Sequence, residues 1–159
     1  MEIKKIHRST RMHALLCWDI ASNGILQAMK HHDRQKLQQL AKKYQWHFSP
    51  DELLAKEYEA IVVTDVTQKI QWASPGFLKM TGYSPALAKN RKPSFLQGKD
   101  TSPATRQQVR EAIQQGKSIA ATLLNYRRNG TPYQCYVEIQ PLYNNEKLLT
   151  HFIAFEREV

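Results

Sequence analysis

Apolar positions along this chain recur with two different periods, and the period changes near residue 58. Between residues 8 and 46, Met12, Leu15, Leu16, Ile20, Leu26 and Met29 return at spacings of three to six, an imperfect helical pattern. Asn23-Gly24 interrupts it. Glycine inside a helix costs about 1 kcal/mol relative to alanine, so a bend or a break into two shorter helices is expected there. A second run, Asp33 to Tyr44, puts Leu37, Leu40, Ala41 and Tyr44 on one face that must pack on something. Ser49-Pro50-Asp51-Glu52 reads as a helix start, with a serine cap, proline in the first turn and a glutamate placed to return a hydrogen bond. It predicts a short helix from Pro50 to Lys56.

From Ala60 the pattern is that of strands. AIVVTD is a β-branched apolar run bounded by turn residues, KIQWAS repeats the behaviour, and together they predict a hairpin. Phe77 to Gly82, Ser84 to Lys89 and Ser102 to Gln115 are predicted helices, the last with Ser102-Pro103 as its start and Gly116 as its stop. Three longer strands follow, Ser118 to Arg127, Pro132 to Leu142 and Leu148 to Glu156, separated by turns at Asn129-Gly130 and Asn144-Asn145. The order β-β-α-α-α-β-β-β predicts an α+β fold, a five-stranded antiparallel sheet with helices on one face, preceded by a helical segment.

Composition narrows the function classes. The 159 residues suit one domain plus an extension. No apolar stretch reaches the roughly 18 residues of a membrane span, and the first residues are charged. Cys17 and Cys135 are too few for a disulfide framework and lack zinc spacing, so both are read as free thiols in a reducing cytoplasm. The formal charge of +9 is spread out, with ten basic against six acidic residues up to Tyr58 and thirteen against eight beyond. That describes a solvated basic surface better than a nucleic-acid face. The competing reading is a DNA-binding regulator with a helix-turn-helix whose turn is Ala21 to Gly24, but Ile25 to Met29 is too apolar for a recognition helix. There is no glycine-rich phosphate loop, nucleophile elbow or carboxylate constellation, so no enzyme is expected. His31-His32 reads as a solvated pair rather than a metal site.

The stretch VVTDVTQKIQWASPGFLKMTGYS, Val62 to Ser84, resembles the opening of a PAS domain. NRKPSFLQGKDT (Asn90 to Thr101) and LLNYRRNGTPYQCYVEIQPLYN (Leu123 to Asn144) resemble more narrowly the LOV branch, the flavin-binding blue-light sensors. The resemblance divides the chain into residues 1–58, a helical cap or dimerisation segment, and residues 59–159, the PAS domain. It implies a sensory or protein-interaction module that dimerises through the helices before its first strand. Those helices carry Leu15, Leu16, Ile20, Leu26, Leu37, Leu40 and Trp46, more apolar side chains than a solvated tail holds, and burial is expected for them.

In the LOV family a cysteine in a Gly-Arg-Asn-Cys-Arg-Phe-Leu-Gln-Gly motif attacks the flavin. Pro93 stands in that place here, which implies that the covalent adduct does not form. Of the family's flavin-contacting positions, Gln97, Arg110 and Asn125 match. Lys92 replaces an asparagine, Ser94 a phosphate-binding arginine, Cys135 a strand asparagine and Glu156 a strand glutamine. An ionised carboxylate accepts hydrogen bonds but cannot donate, so Glu156 imitates the glutamine only when protonated. The lost arginine removes a charged hydrogen bond worth about 1.5–3 kcal/mol. The expectation is a protein purified without cofactor, with flavin mononucleotide as the alternative. Haem, which needs an axial histidine on the long helix, finds none between residues 102 and 115. The matching residues also have bland roles, Asn125 serving strand backbone and Arg110 on an exposed helix face, and Cys135, which does not match, reads as a small buried hydrophobe.

Overall fold

Five strands form one antiparallel sheet: β1 (Ala60–Asp65), β2 (Ile70–Ala73), β3 (Ile119–Tyr126), β4 (Pro132–Tyr143) and β5 (Leu149–Glu158), in the order β2-β1-β5-β4-β3. The computed structural model describes the backbone of residues 6–159, and the side chains from Asp19 onward. The order brings the last strand to the centre, so β5 touches both the N-terminal hairpin and the C-terminal one. β1 is apolar at consecutive positions because both faces of the sheet are covered, which explains why AIVVTD carries no alternation.

One face holds α3 (Gly76–Thr81), α4 (Pro85–Ala88), a 3-10 turn (Pro93–Leu96) and α5 (Pro103–Gln114). Phe77, Met80, Ala88 and Leu96 pack on Ala60, Val62, Ile70 and Cys135, while Val109 and Ile113 of α5 pack near Leu123, Val137 and Phe152. The opposite face is closed by the front segment, α1 (Ile6–Tyr44) and α2 (Pro50–Leu54). Leu37, Leu40, Ala41, Tyr44, Trp46 and Leu53 pack on Ile61, Val63, Leu142, Ile153 and Phe155. A fully buried leucine such as Leu37 contributes about 1.5–3 kcal/mol, so this face is an integral part of the core.

The helices on one face are therefore as expected, and the preceding segment adds a second helical layer in cis. Its internal anatomy differs from the expectation. α1 runs unbroken through Asn23-Gly24, where nothing lies within 4 Å of a Cβ placed on Gly24. The neighbouring helix formers carry the local glycine cost, and the turn that a helix-turn-helix would need is absent. α2 ends at Leu54 rather than Lys56, and Ser49, although extended, makes no side-chain cap. Ser84 and Ser102 do cap, accepting from the backbone N–H of Leu87 and Thr105. The expected burial splits along α1: Leu37 is buried, whereas Ile20 is 70% exposed and Leu26 53%. Leu15, Leu16 and Cys17 lie outside the described side chains.

Among the described residues no helix is long and apolar enough to cross a membrane, and no three His, Cys, Asp or Glu side chains cluster as metal ligands.

Candidate functional site

Period-2 geometry assigns the inward residues. On β5, His151, Ile153 and Phe155 face the α1 layer, so Phe152, Ala154 and Glu156 face α5. On β4, Cys135, Val137 and Ile139 face the same way, as do Leu123 and Asn125 on β3. Together with Leu96, Val109 and Ile113 they enclose a cavity of about 400 Å³ between sheet and helices. That is within the range of small-molecule sites, roughly 300–1,000 Å³.

The cavity is asymmetric in its polar groups. Its mouth is lined by Lys92, Arg106 and Arg110, and none of these forms an ion pair among the described residues. Arg110 only receives support from Gln107, whose Oε1 accepts from its Nη1 at 3.3 Å. Its interior ends on the sheet, where Asn125 and Glu156 are each 6% exposed and where Asn125 Oδ1 and Glu156 Oε2 have no hydrogen-bond partner. Burial pushes the Glu156 carboxyl up to about 7. Burial likewise pushes the Cys135 thiol up, and the negative charges of Glu156, Glu59 and Glu158 push further in the same direction. Cys135 is a buried, inert thiol rather than a nucleophile.

The loop beside the cavity is held to β3 by short-range chemistry. Gln97 bridges to Asn125 in antiparallel fashion, Thr101 Oγ1 donates to the Leu124 carbonyl at 2.5 Å, and the Gly98 N–H donates to Thr101 Oγ1 at 2.9 Å. Gly98 packs under the Tyr126 ring, where a Cβ would stand 2.3 Å from it and the ring would have to shift. Pro93 starts the 3-10 turn and lines the cavity.

All five residues singled out in the sequence, Gln97, Arg110, Asn125, Cys135 and Glu156, thus line one cavity, with Arg110 at its mouth and the other four deeper. Arg106 was missed. It stands one helical turn before Arg110 on α5, and the i, i+4 spacing of two arginines was the available signal. The aromatic seat of His151 was also missed. Its ring centroid lies 4.1 Å from that of Tyr44 and 4.9 Å from that of Trp46, and burial holds its pKa down.

The comparisons with known proteins agree with this geometry. The PAS domain family profile matches residues 59–159. Phototropin-2 of Oryza sativa subsp. japonica is 37% identical over 109 residues, covering 67% of this chain and 12% of that protein. The human voltage-gated inwardly rectifying potassium channel KCNH3 is 34% identical over 92 residues, 57% of this chain and 8% of the channel. Among solved structures, the dark-state LOV domain of aureochrome1 superposes with a TM-score of 0.66 at 30% identity, covering 70% of this chain and 83% of that one. The light-state dimer of the fungal photoreceptor Vivid gives 0.60 at 26%, covering 62% and 76%. The chain spans only about an eighth of the rice phototropin, the 12% above.

Proposed function

Since this chain belongs to the PAS domain family, with LOV domains among its relatives and structural neighbours, we propose that it is a non-catalytic sensory and protein-interaction module that works without cysteinyl-adduct photochemistry. The observation that carries the reading is the double role of β5. Its even residues line the cavity, and its odd residues seat the α1 layer. A ligand that moves Phe152, Ala154 or Glu156 acts on a strand whose other face holds Leu37, Tyr44 and Trp46, so occupancy can bias how α1 is presented to a partner. The partner surface is the outer half of α1, where Ile20, Ile25 and Leu26 are exposed, and a second copy of the chain is the favoured occupant. A cytoplasmic location and an absence of nucleic-acid binding go with this reading.

The absence of an adduct rests on Pro93, which has no sulfur, and on the only described cysteine, Cys135, being buried on β4 with its pKa raised. A second reading, flavin mononucleotide binding, is favoured by the convergence of Gln97, Arg110 and Asn125 on one cavity of suitable size. The interior meets that cofactor only in part: a flavin's pyrimidine edge carries two carbonyl oxygens and an N–H, which the Asn125 amide can serve as donor and acceptor, whereas Glu156 can donate to it only while it holds its proton.

The visible absorption spectrum of the purified protein, followed by mass analysis of whatever denaturation releases, is the deciding experiment. The expected result is no flavin band. A stoichiometric yellow preparation moves the assignment to the flavin reading, and reversible bleaching under blue light with a mass-confirmed cysteine linkage overturns both.

A further inference from the structure

The inner wall of the cavity, if the cavity is the sensing site argued above, has a chemistry of its own. Glu156 Oε2 and Asn125 Oδ1 are buried and unpartnered, as is the Tyr133 hydroxyl near Asn125, and no ion pair among the described residues reaches Glu156. The titratable groups coupled to Glu156 are Cys135 and Tyr133 on β4, and the further charges acting on Cys135 are Glu59 before β1 and Glu158 further along β5. All of these are acids. Of the strand cations, Arg127 donates from Nη2 to both oxygens of Glu158 at 2.7 Å and lies over the Tyr133 ring, and Arg157 lies over the Tyr136 ring. At the other end, Lys92, Arg106 and Arg110 are three cations without an ion-pair partner among the described residues. Between the two ends the walls are Leu96, Val109, Ile113, Leu123, Val137 and Phe152.

We propose that the cavity takes an amphoteric ligand: a nitrogenous hydrogen-bond donor of the amidine or cyclic guanidine type held by Glu156 and Asn125, an apolar body, and an anionic end held by Lys92, Arg106 and Arg110. A donor edge gives both orphan oxygens the hydrogens they lack and brings the counter-charge that the surrounding acids withhold. A buried charge without such compensation is costly, and a bidentate carboxylate pair is among the strongest ways to supply it. A carbonyl edge can take a hydrogen from the Asn125 amide but sets its lone pairs against those of Glu156 unless Glu156 keeps a proton. The two ligand types are therefore told apart by the sign of their pH dependence. A donor-edged ligand needs Glu156 ionised and displaces its proton, whereas a carbonyl-edged ligand needs the proton in place.

Isothermal titration of the full chain with benzamidine, which stays cationic throughout, at pH 6 and pH 8 tests the head group. Binding is expected to be about tenfold tighter at pH 8, the change that follows from one group ionising near 7. Glu156→Gln is expected to weaken binding at pH 8 at least tenfold and to flatten the pH dependence, and Asn125→Ala to weaken it with the pH dependence retained. Adding an anionic tail, as in 4-(4-amidinophenoxy)butanoate, is expected to tighten binding in the native protein and not in the double variant Arg106→Gln/Arg110→Gln. Benzamidine affinity that is the same in Glu156→Gln, or no saturable binding of either amidine, overturns the assignment. So does flavin mononucleotide binding tighter at pH 6 than at pH 8, which leaves the sensory reading standing. If the amidines bind as expected but hydrogen exchange along α1 does not respond, the ligand assignment holds and the sensory reading fails.

Discussion

The indole N–H of Trp46 donates to Thr150 Oγ1 at 2.9 Å, tying the residue just past α1 to the first turn of β5. Trp46 also stacks on Tyr44 at 5.2 Å, meets His151 edge-on and bridges by its backbone to Asn144. One residue therefore couples the front segment to the central strand by apolar contact, aromatic geometry and a hydrogen bond at once.

Trp46→Ala should destabilise the protein by about 3–5 kcal/mol, the usual cost of emptying a buried aromatic site. Trp46→Phe, which loses the hydrogen bond and part of the ring, should cost distinctly less, with about 1 kcal/mol of it from the bond. Urea denaturation of the three proteins measures both. Equal and small effects would show that the α1 layer is not part of the cooperative core.

Gly76 opens α3 against the residue before β1. A Cβ there would stand 1.8 Å from the Glu59 carbonyl oxygen, and the obstacle is backbone rather than a side chain that can swing away. Gly76→Ala should cost more than the roughly 1–3 kcal/mol typical of overpacking, or yield insoluble protein. Gly24→Ala is the matched control. Open space surrounds that position, so a gain of about 1 kcal/mol from helix propensity is expected in helicity measured by circular dichroism.

How far the sequence could be read divides along the kind of signal. The sheet was legible from strand periods and turn dipeptides because β-branched runs such as AIVVTD and the Asn129-Gly130 turn are local features. The cavity residues were legible only through the PAS and LOV resemblance, since Gln97, Asn125, Cys135 and Glu156 are far apart in sequence and meet only when β3, β4 and β5 pair. Gly24 misled because an intrinsic propensity of about 1 kcal/mol is small against the helix formers around it. The sequence left open whether α1 caps its own sheet or pairs with a second chain, because that depends on which long-range face Leu37 and Trp46 find, and an amphipathic stripe does not say what covers it.

Glu156 gives a pH prediction whose sign is fixed by burial. The carboxyl is raised from 4.5 to about 7 in the folded protein, so the folded state holds its proton more tightly than the unfolded chain. The stability it contributes is fully present below 4.5 and is lost as pH rises through about 7. The loss amounts to roughly 3 kcal/mol, an order-of-magnitude figure from the shift. Glu156→Gln cannot ionise, so it should match the native protein near pH 4.5 and exceed it in stability at pH 8. Melting temperatures across that range check it: a variant that loses stability equally at both ends would show a carboxyl whose pKa folding does not shift, and one that loses more at pH 8 would place the native carboxyl in an ion pair.

The proposed assembly rests on the outer half of α1. Ile20, Ile25 and Leu26 are all more than half exposed in the single chain, Leu26 bordering a groove with Met80 and Arg127, while Leu37 eleven residues after Leu26 is wholly buried, so this half of the helix shows apolar side chains to solvent. Such a surface is stable when covered, and a two-fold pairing of the α1 segments covers it in both copies at once. A stable pair needs at least about 1,000 Å² in total, which two projecting helices of this length can supply where a flat sheet edge cannot. Multi-angle light scattering on the full chain at tens of micromolar should therefore give twice the 18.5 kDa monomer mass. The triple substitution Ile20→Asp/Ile25→Asp/Leu26→Asp should give the monomer with its denaturation midpoint little changed, because none of the three touches the core clusters. A native chain that is monomeric at that concentration refutes the dimer. A triple variant that remains dimeric moves the interface off α1, onto another face of the domain.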